Sequence, residues 1–129
     1  MIVQVSGGSV ALRAREPSCQ FRDFTIRTRS RYGYETEIDK LRKGFCDWYL
    51  YGWGDGIDTI LEYILVDLDK VRNLELLEMQ IWKIGRNTDG TEFIIIPVGI
   101  LLDCECIVAY ELTEQTLAMQ PKKNKVVIK

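Results

Sequence analysis

The sequence predicts an α+β or α/β fold around a mixed central β-sheet, with an N-terminal antiparallel meander and short flanking helices. Three features carry that expectation. Two-residue alternation runs through Val10 to Arg15 and Phe24 to Arg31, which sends successive side chains to opposite faces of a sheet. Ile38, Leu41 and Phe45 then follow a helical spacing. The segment from Cys46 to Trp53 has aromatic residues on both parities, the pattern of a central strand covered on both faces.

Ile2 to Val5, Val10 to Arg15 and Phe21 to Arg29 read as the meander, with Gly7-Gly8 as its first turn and Pro17-Ser18 opening its second connection. A helix is expected from Thr36 to Lys43. Acids crowd its start, Arg42 and Lys43 sit at its end where the helix dipole favours cations, and Gly44 can close it. Gly54-Asp55-Gly56 is a turn, after which Ile60 to Val66 returns as a buried strand. Asp67 is placed to cap a short helix that carries Leu68 and Val71 inward. Met79 to Ile84 and Glu92 to Ile96 flank a hairpin turn at Asn87-Thr88-Asp89-Gly90, and Pro97 should end the second of them. Cys106 to Ala109 is a final strand. Residues 1–120 are expected to form one domain, and residues 121–129 a lysine-rich tail.

At 129 residues, 47% hydrophobic and 28% charged, the chain has ordinary globular composition and enough length to bury a core without staples. Its longest apolar run, Phe93 to Leu102, is interrupted by Pro97 and Gly99 and falls well short of a membrane span. Its first residues lack the basic region and apolar core of a secretory signal, so a cytoplasmic protein with no membrane partner is expected. The sequence contains no histidine, which excludes Ser-His-Asp and Cys-His hydrolases and zinc sites with His ligands. Catalysis would have to run on carboxylates, Lys, Tyr, Cys or an oxygen-ligated metal. Cys19, Cys46, Cys104 and Cys106 read as reduced thiols, and Cys104-Glu105-Cys106 lacks the C-x-x-C spacing of a zinc or redox site.

The net charge of -2 conceals a division. Residues 1–44 carry nine Lys and Arg against five Asp and Glu, whereas residues 45–120 carry four against fourteen. The basic part is concentrated in the alternating runs. Arg13 and Arg15 share one face of their strand opposite Leu12 and Ala14, and Arg27, Arg29 and Arg31 share one face of theirs opposite Phe24 and Ile26. Pairing the two strands would give one sheet face with five guanidinium groups, a candidate phosphate-binding surface rimmed by Lys40, Arg42 and Lys43. The helix around Ile38 and Leu41 would cover the apolar face, burying Phe24, Ile26 and Leu41 and leaving Arg27 and Arg29 in solvent. A solvated charged face and a protein-docking face fit the same arginines. Glu16 and Asp23 flank one connection, with Glu35 and Glu37 nearby; these acids are candidate metal ligands, or salt partners of the arginines. Trp48, Tyr49, Tyr51 and Trp53 could stack bases, but their periodicity favours the core. Gly52-Trp53-Gly54-Asp55-Gly56 reads as a turn, since no helix follows it and Asp55 would repel phosphate.

The order Gly7-Gly8, the Arg-rich strand, Asp23-Phe24-Thr25-Ile26-Arg27, Glu35-Thr36-Glu37-Ile38-Asp39-Lys40, Gly44 and Asp47-Trp48-Tyr49-Leu50-Tyr51-Gly52-Trp53 resembles small phage and prophage proteins of the PD-(D/E)XK, or restriction-endonuclease-like, superfamily. The resemblance implies a restriction-endonuclease-like fold, with an acid on one hairpin strand and an acid-x-Lys on the next holding a divalent metal such as Mg²⁺. Here the acid-x-Lys position falls on Ala11 and Arg13, and Ile2 to Val5 holds no acid, so the motif is degenerate. Asp47 resembles a recurrent structural acid ahead of the aromatic strand.

The leading functional expectation is a nucleic-acid-associated protein with a degenerate nuclease-like core, which binds the phosphate backbone through its arginines. The alternatives are a small phage-type accessory or inhibitor protein that docks a host protein, and a metal-dependent nuclease whose ligands have moved to Glu16, Asp23 or Glu37. Sequence alone leaves open whether the protein is an enzyme.

Overall fold

The alternating segments sort into two sheets. The computed structural model describes residues 2–5, 8–15, 22–55 and 58–120. In chain order the elements begin with β1 (Ile2–Val5), β2 (Gly8–Arg15), β3 (Asp23–Arg29), α1 (Glu37–Arg42), β4 (Trp48–Gly54) and β5 (Ile60–Asp67). They continue with α2 (Leu68–Asn73), β6 (Lys83–Arg86), β7 (Glu92–Pro97), α3 (Val98–Asp103), β8 (Ile107–Glu111) and α4 (Glu114–Ala118). The larger sheet has five strands in the order β1-β2-β4-β5-β8, and the smaller has three in the order β3-β7-β6. β2 and β4 run parallel while every other pair in the larger sheet is antiparallel, so the fold is α+β around a mixed central sheet.

The two sheets meet through aromatic rings. Phe24 of β3 sits 5.2 Å from the Tyr49 ring, nearly edge-on, and 5.3 Å from Tyr51, and Trp53 continues the row 5.2 Å beyond Tyr51. Such offset and edge contacts suit the quadrupoles of aromatic rings. Ile26, Ile64, Val66, Ile96 and Leu101 fill the same buried cluster. Ile38 and Leu41 bring α1 onto it, and Leu68 and Val71 bring α2, whose first turn is capped by Asp67 accepting the Lys70 N–H at 3.1 Å. Phe24, Ile26 and Leu41 are buried and Arg27 and Arg29 exposed as expected, but the two arginines do not share a face: a register shift between them sets Arg29 opposite Glu92, on the side of Ile94 and Ile26, and Thr25, on the side of Arg27, is buried.

Three expectations need correction. The meander stops after β1 and β2, because β3 pairs with β7 from Asp23↔Pro97 to Arg29↔Glu92. Phe24, Thr25 and Ile26 are all buried, and the isoleucines Ile94 and Ile96 of β7 supply the apolar cross-strand neighbours such a strand needs. The second correction concerns direction. Ala11, Arg13 and Arg15 stand opposite Tyr49, Tyr51 and Trp53, the buried row of β4, so both arginines lie on the inner side of the sheet and Leu12 and Ala14 on the outer side. Thirdly, β4 is fully covered on one face only. Trp48 and Leu50 are half-buried, and Leu12, Leu50, Gly52, Ile60 and Tyr63 line an apolar outer surface.

The expected turn before the last β-hairpin strand is present, with β6 and β7 flanking Asn87 to Gly90, although β6 starts only at Lys83. Trp82 is instead buried and donates its indole N–H to the Leu76 carbonyl at 2.7 Å. α3 was hidden within the apolar run after Pro97, since a short segment apolar on every side shows no helical period. Cys46, Cys104 and Cys106 are buried, and burial together with Cys104 pushes the Cys106 thiol up to about 12, which keeps it protonated and inert. No helix among the described residues is long and apolar enough to cross a membrane. The tail, residues 121–129, lies outside the described residues.

Because Phe24 is the ring that joins the two sheets, Phe24→Ala is expected to cost about 3–5 kcal/mol, read as a lower urea midpoint. A loss below about 1 kcal/mol would show that the sheets are held together elsewhere.

Candidate functional site

Where the inner side of β2 meets the end of β3 and the start of α1, the core opens into a cleft of about 500 Å³. β2 contributes Ala11 and Arg13, β3 and its exit contribute Arg27 and Ser30, α1 contributes Glu37 and Lys40, and Tyr49 of β4 lies at the base. Local chemistry sets the position of α1. Asp39 accepts hydrogen bonds from the Thr36 N–H at 3.1 Å and hydroxyl at 3.0 Å, which hold its carboxyl below the usual carboxylate range. Gly44 leaves the helix at φ 91°, a conformation a side chain would strain. The Arg72 guanidinium then donates to the carbonyls of Leu41 and Cys46, both at 3.0 Å, and is itself held by Asp69.

Glu37 is the hub of the cleft. Its Oε2 accepts the Tyr49 hydroxyl at 2.7 Å, and its Oε1 accepts the Arg27 backbone N–H at 3.2 Å and lies 3.6 Å from Arg13 Nη1. Burial, and then the adjacent Glu37 charge, push the Tyr49 hydroxyl far above the ordinary phenol range. Tyr49 is therefore a fixed donor, and Glu37 a carboxylate with both oxygens engaged. Arg27 and Lys40 line the same cleft and form no ion pair among the described residues, although the Arg27 charge also helps hold the Asp89 carboxyl below the usual range.

The eight predicted phosphate-binding residues are thus divided. Arg13, Arg27 and Lys40 share the cleft, and Lys43 is tied at its edge to Glu35 at 3.2 Å. Arg15 turns inward, donating to Thr25 Oγ1 at 3.1 Å and the Tyr51 hydroxyl at 3.3 Å, so it belongs to the polar lining of the core. Arg29 pairs with Glu92 at 3.9 Å, and Arg42 with Glu78 at 2.7 Å and Asp39 at 4.0 Å. Arg31 lies over the Tyr32 ring at 5.2 Å. No single sheet face carries all five arginines, since β2 and β3 belong to different sheets.

Of the candidate acids among the described residues, Asp23 and Glu37 do not converge. Glu16 lies outside the described residues. Asp23 begins β3 and Glu37 bonds the backbone at Arg27, four residues along the strand, a separation of about 13 Å. Burial raises the Asp23 pKa, with Arg15 and Lys83 as its nearest opposing charges. Among the described residues no three Asp, Glu or Cys side chains are grouped to hold a metal ion. Glu37, with its oxygens engaged and cations around it, does not fit the divalent metal that a nuclease-like site implies. Ala11 and Arg13, where the resemblance puts the acid-x-Lys, do line the cleft, but neither is an oxygen ligand. Asp47 is structural: its carboxylate accepts the Ser9 N–H at 3.0 Å, and a Cβ on Gly8 would come within 2.6 Å of it.

A second polar cluster ties β5 to α4. Buried Glu62 accepts from Arg22 Nε, from the Thr113 N–H at 2.9 Å and from the Thr116 hydroxyl at 2.7 Å. Burial would raise its pKa, but these donors outweigh that effect and hold it low. All are committed to one another, as in a structural clasp.

Sequence reasoning missed Tyr49 as the partner of Glu37, and it missed Tyr32 and Tyr34, which are 70% and 72% exposed. The signal for the latter pair was available in Tyr32-Gly33-Tyr34, two large aromatics around a turn glycine between a strand and a helix. Comparison with family models, curated proteins and solved structures finds no significant match to the chain.

Tyr49 makes the cleft sensitive to alkali. The unfolded phenol ionises near 10.0 and the folded one only at higher pH, so the stability it contributes is fully present below 10.0 and declines as pH rises beyond it. Wild type is expected to lose more stability than Tyr49→Phe between about pH 9 and 11 in urea titrations. Equal losses would place Tyr49 in contact with water.

Proposed function

We propose that the protein binds nucleic acid through phosphate contacts in this cleft. The observation that carries the reading is the convergence of Arg13, Arg27 and Lys40, from three separate elements, with the latter two forming no ion pair among the described residues. Three cations face two carboxylates there, and Glu35 is already held by Lys43, so an anionic backbone would find donors without displacing a strong internal pair. Glu37 then acts as a positioning residue, fixing the Arg27 backbone and Arg13 while Tyr49 fixes Glu37. The fork of Arg27 can address two phosphate oxygens at once, and Lys40 one.

The rival reading, a host-protein dock, draws on the mixed-charge surface formed by the Arg29–Glu92, Arg42–Glu78 and Lys43–Glu35 pairs. A pull-down with and without nuclease separates the two: partners that survive nuclease favour protein docking.

Binding to duplex and single-stranded oligonucleotides, measured against salt, tests the proposal. The wild type is expected to bind at about 50 mM salt and to lose affinity steeply towards 200 mM. Arg27→Ala/Lys40→Ala should flatten the logarithmic salt slope by about 1.4–1.8, two phosphate contacts' worth. No binding of either strand form at low salt would overturn the reading.

A further inference from the structure

We infer that the Tyr32-Gly33-Tyr34 loop is a base-stacking platform that makes the cleft a site for single-stranded nucleic acid. The inference rests on the phosphate-binding reading above and adds the part of the ligand that the cations do not address. Both tyrosines stand in solvent at 70% and 72% exposure, whereas Tyr49 and Tyr51 are almost fully buried, so Tyr32 and Tyr34 contribute little to the core. Their loop is nevertheless shaped. The Ser30 hydroxyl donates to the Tyr34 carbonyl at 3.0 Å across it, and Gly33 takes φ 77°, which turns the chain between the two rings.

The rings meet edge to face, with centroids 6.1 Å apart at 65°, and so are not closed into a mutual face-to-face stack. Arg31 lies over the Tyr32 ring at 5.2 Å, adding a guanidinium plane to the same patch. The loop also has the right place. Ser30 and Glu35, the residues that bracket it, line the cleft, so the tyrosines stand at the rim of the groove that holds Arg27 and Lys40. Cations that track a backbone beside exposed rings that take successive bases are the two components of sequence-tolerant single-strand binding. A duplex offers only the first, because its bases are already stacked on one another.

Fluorescence anisotropy with a labelled oligothymidylate, a duplex of equal length and an abasic deoxyribose-phosphate strand tests this at about 50 mM salt. Wild type is expected to favour oligothymidylate over both. Tyr32→Ala/Tyr34→Ala should weaken oligothymidylate binding by about tenfold or more, to the level of the abasic strand, while Tyr32→Phe/Tyr34→Phe keeps it. Circular dichroism should show the exposed variants folded like wild type. Equal wild-type affinity for the abasic and base-bearing strands, or an unchanged double-alanine variant, would overturn the stacking inference and leave phosphate binding standing. Failure of the wild type to bind any of the three would overturn both.

Discussion

Tyr49 and Tyr51 bury their rings between two sheets, and their hydroxyls must find partners where water is excluded. An unpaired buried hydroxyl costs about 1–3 kcal/mol, a large fraction of the stability of a chain this size. The structure meets that demand with polar groups drawn in from the sheet junction. Tyr51 exchanges a 2.8 Å hydrogen bond with Thr25 of the smaller sheet, and Arg15 reaches both. Tyr49 donates to Glu37, which fixes the first turn of α1. The cleft follows from this arrangement, since Tyr49 is among its lining residues and the helix that the Tyr49–Glu37 bond ties down forms one wall.

The same demand explains why the arginines of β2 and β3 have different roles. Those of β2 lie on the side of the tyrosines, where Arg13 also covers the Tyr51 ring at 5.7 Å. Those of β3 emerge after the strand has buried Phe24 to Ile26, with a register shift between Arg27 and Arg29, and they point to solvent. A wholly outward set of β2 arginines would have left Glu37 without Arg13, and Thr25 and Tyr51 without the Arg15 guanidinium they both accept from. The cationic cleft is thus assembled in part from residues that serve folding, while Arg27 and Lys40 form no ion pair among the described residues.

Most elements were legible in the sequence because they rest on local chemistry. The α1 boundaries, the Asp67 cap, the turn at Asn87 to Gly90 and the inward Leu68 and Val71 follow from capping, turn preference and periodicity within a few residues. α3 and α4 were not, the first because a uniformly apolar stretch has no readable period and the second because it is a single exposed turn held by Thr113 and Glu62.

Of the candidate site, the sequence by itself determined the residue types and their parity: that Arg13 and Arg15 share one side, that Phe24 and Ile26 are buried, that Arg27 and Arg29 are exposed, and that histidine chemistry is excluded. Only the tertiary structure decided which side of β2 faces inward, that β3 leaves for a second sheet, and that Glu37, Tyr49, Arg13 and Arg27 meet. The physical reason is that alternation defines two faces without saying which is inner. That choice is made by what packs opposite, and here Thr25 and Tyr51, which accept from Arg15, and Glu37, which lies beside Arg13, are supplied by elements distant in the chain and meet the arginine side of β2, not the leucine side.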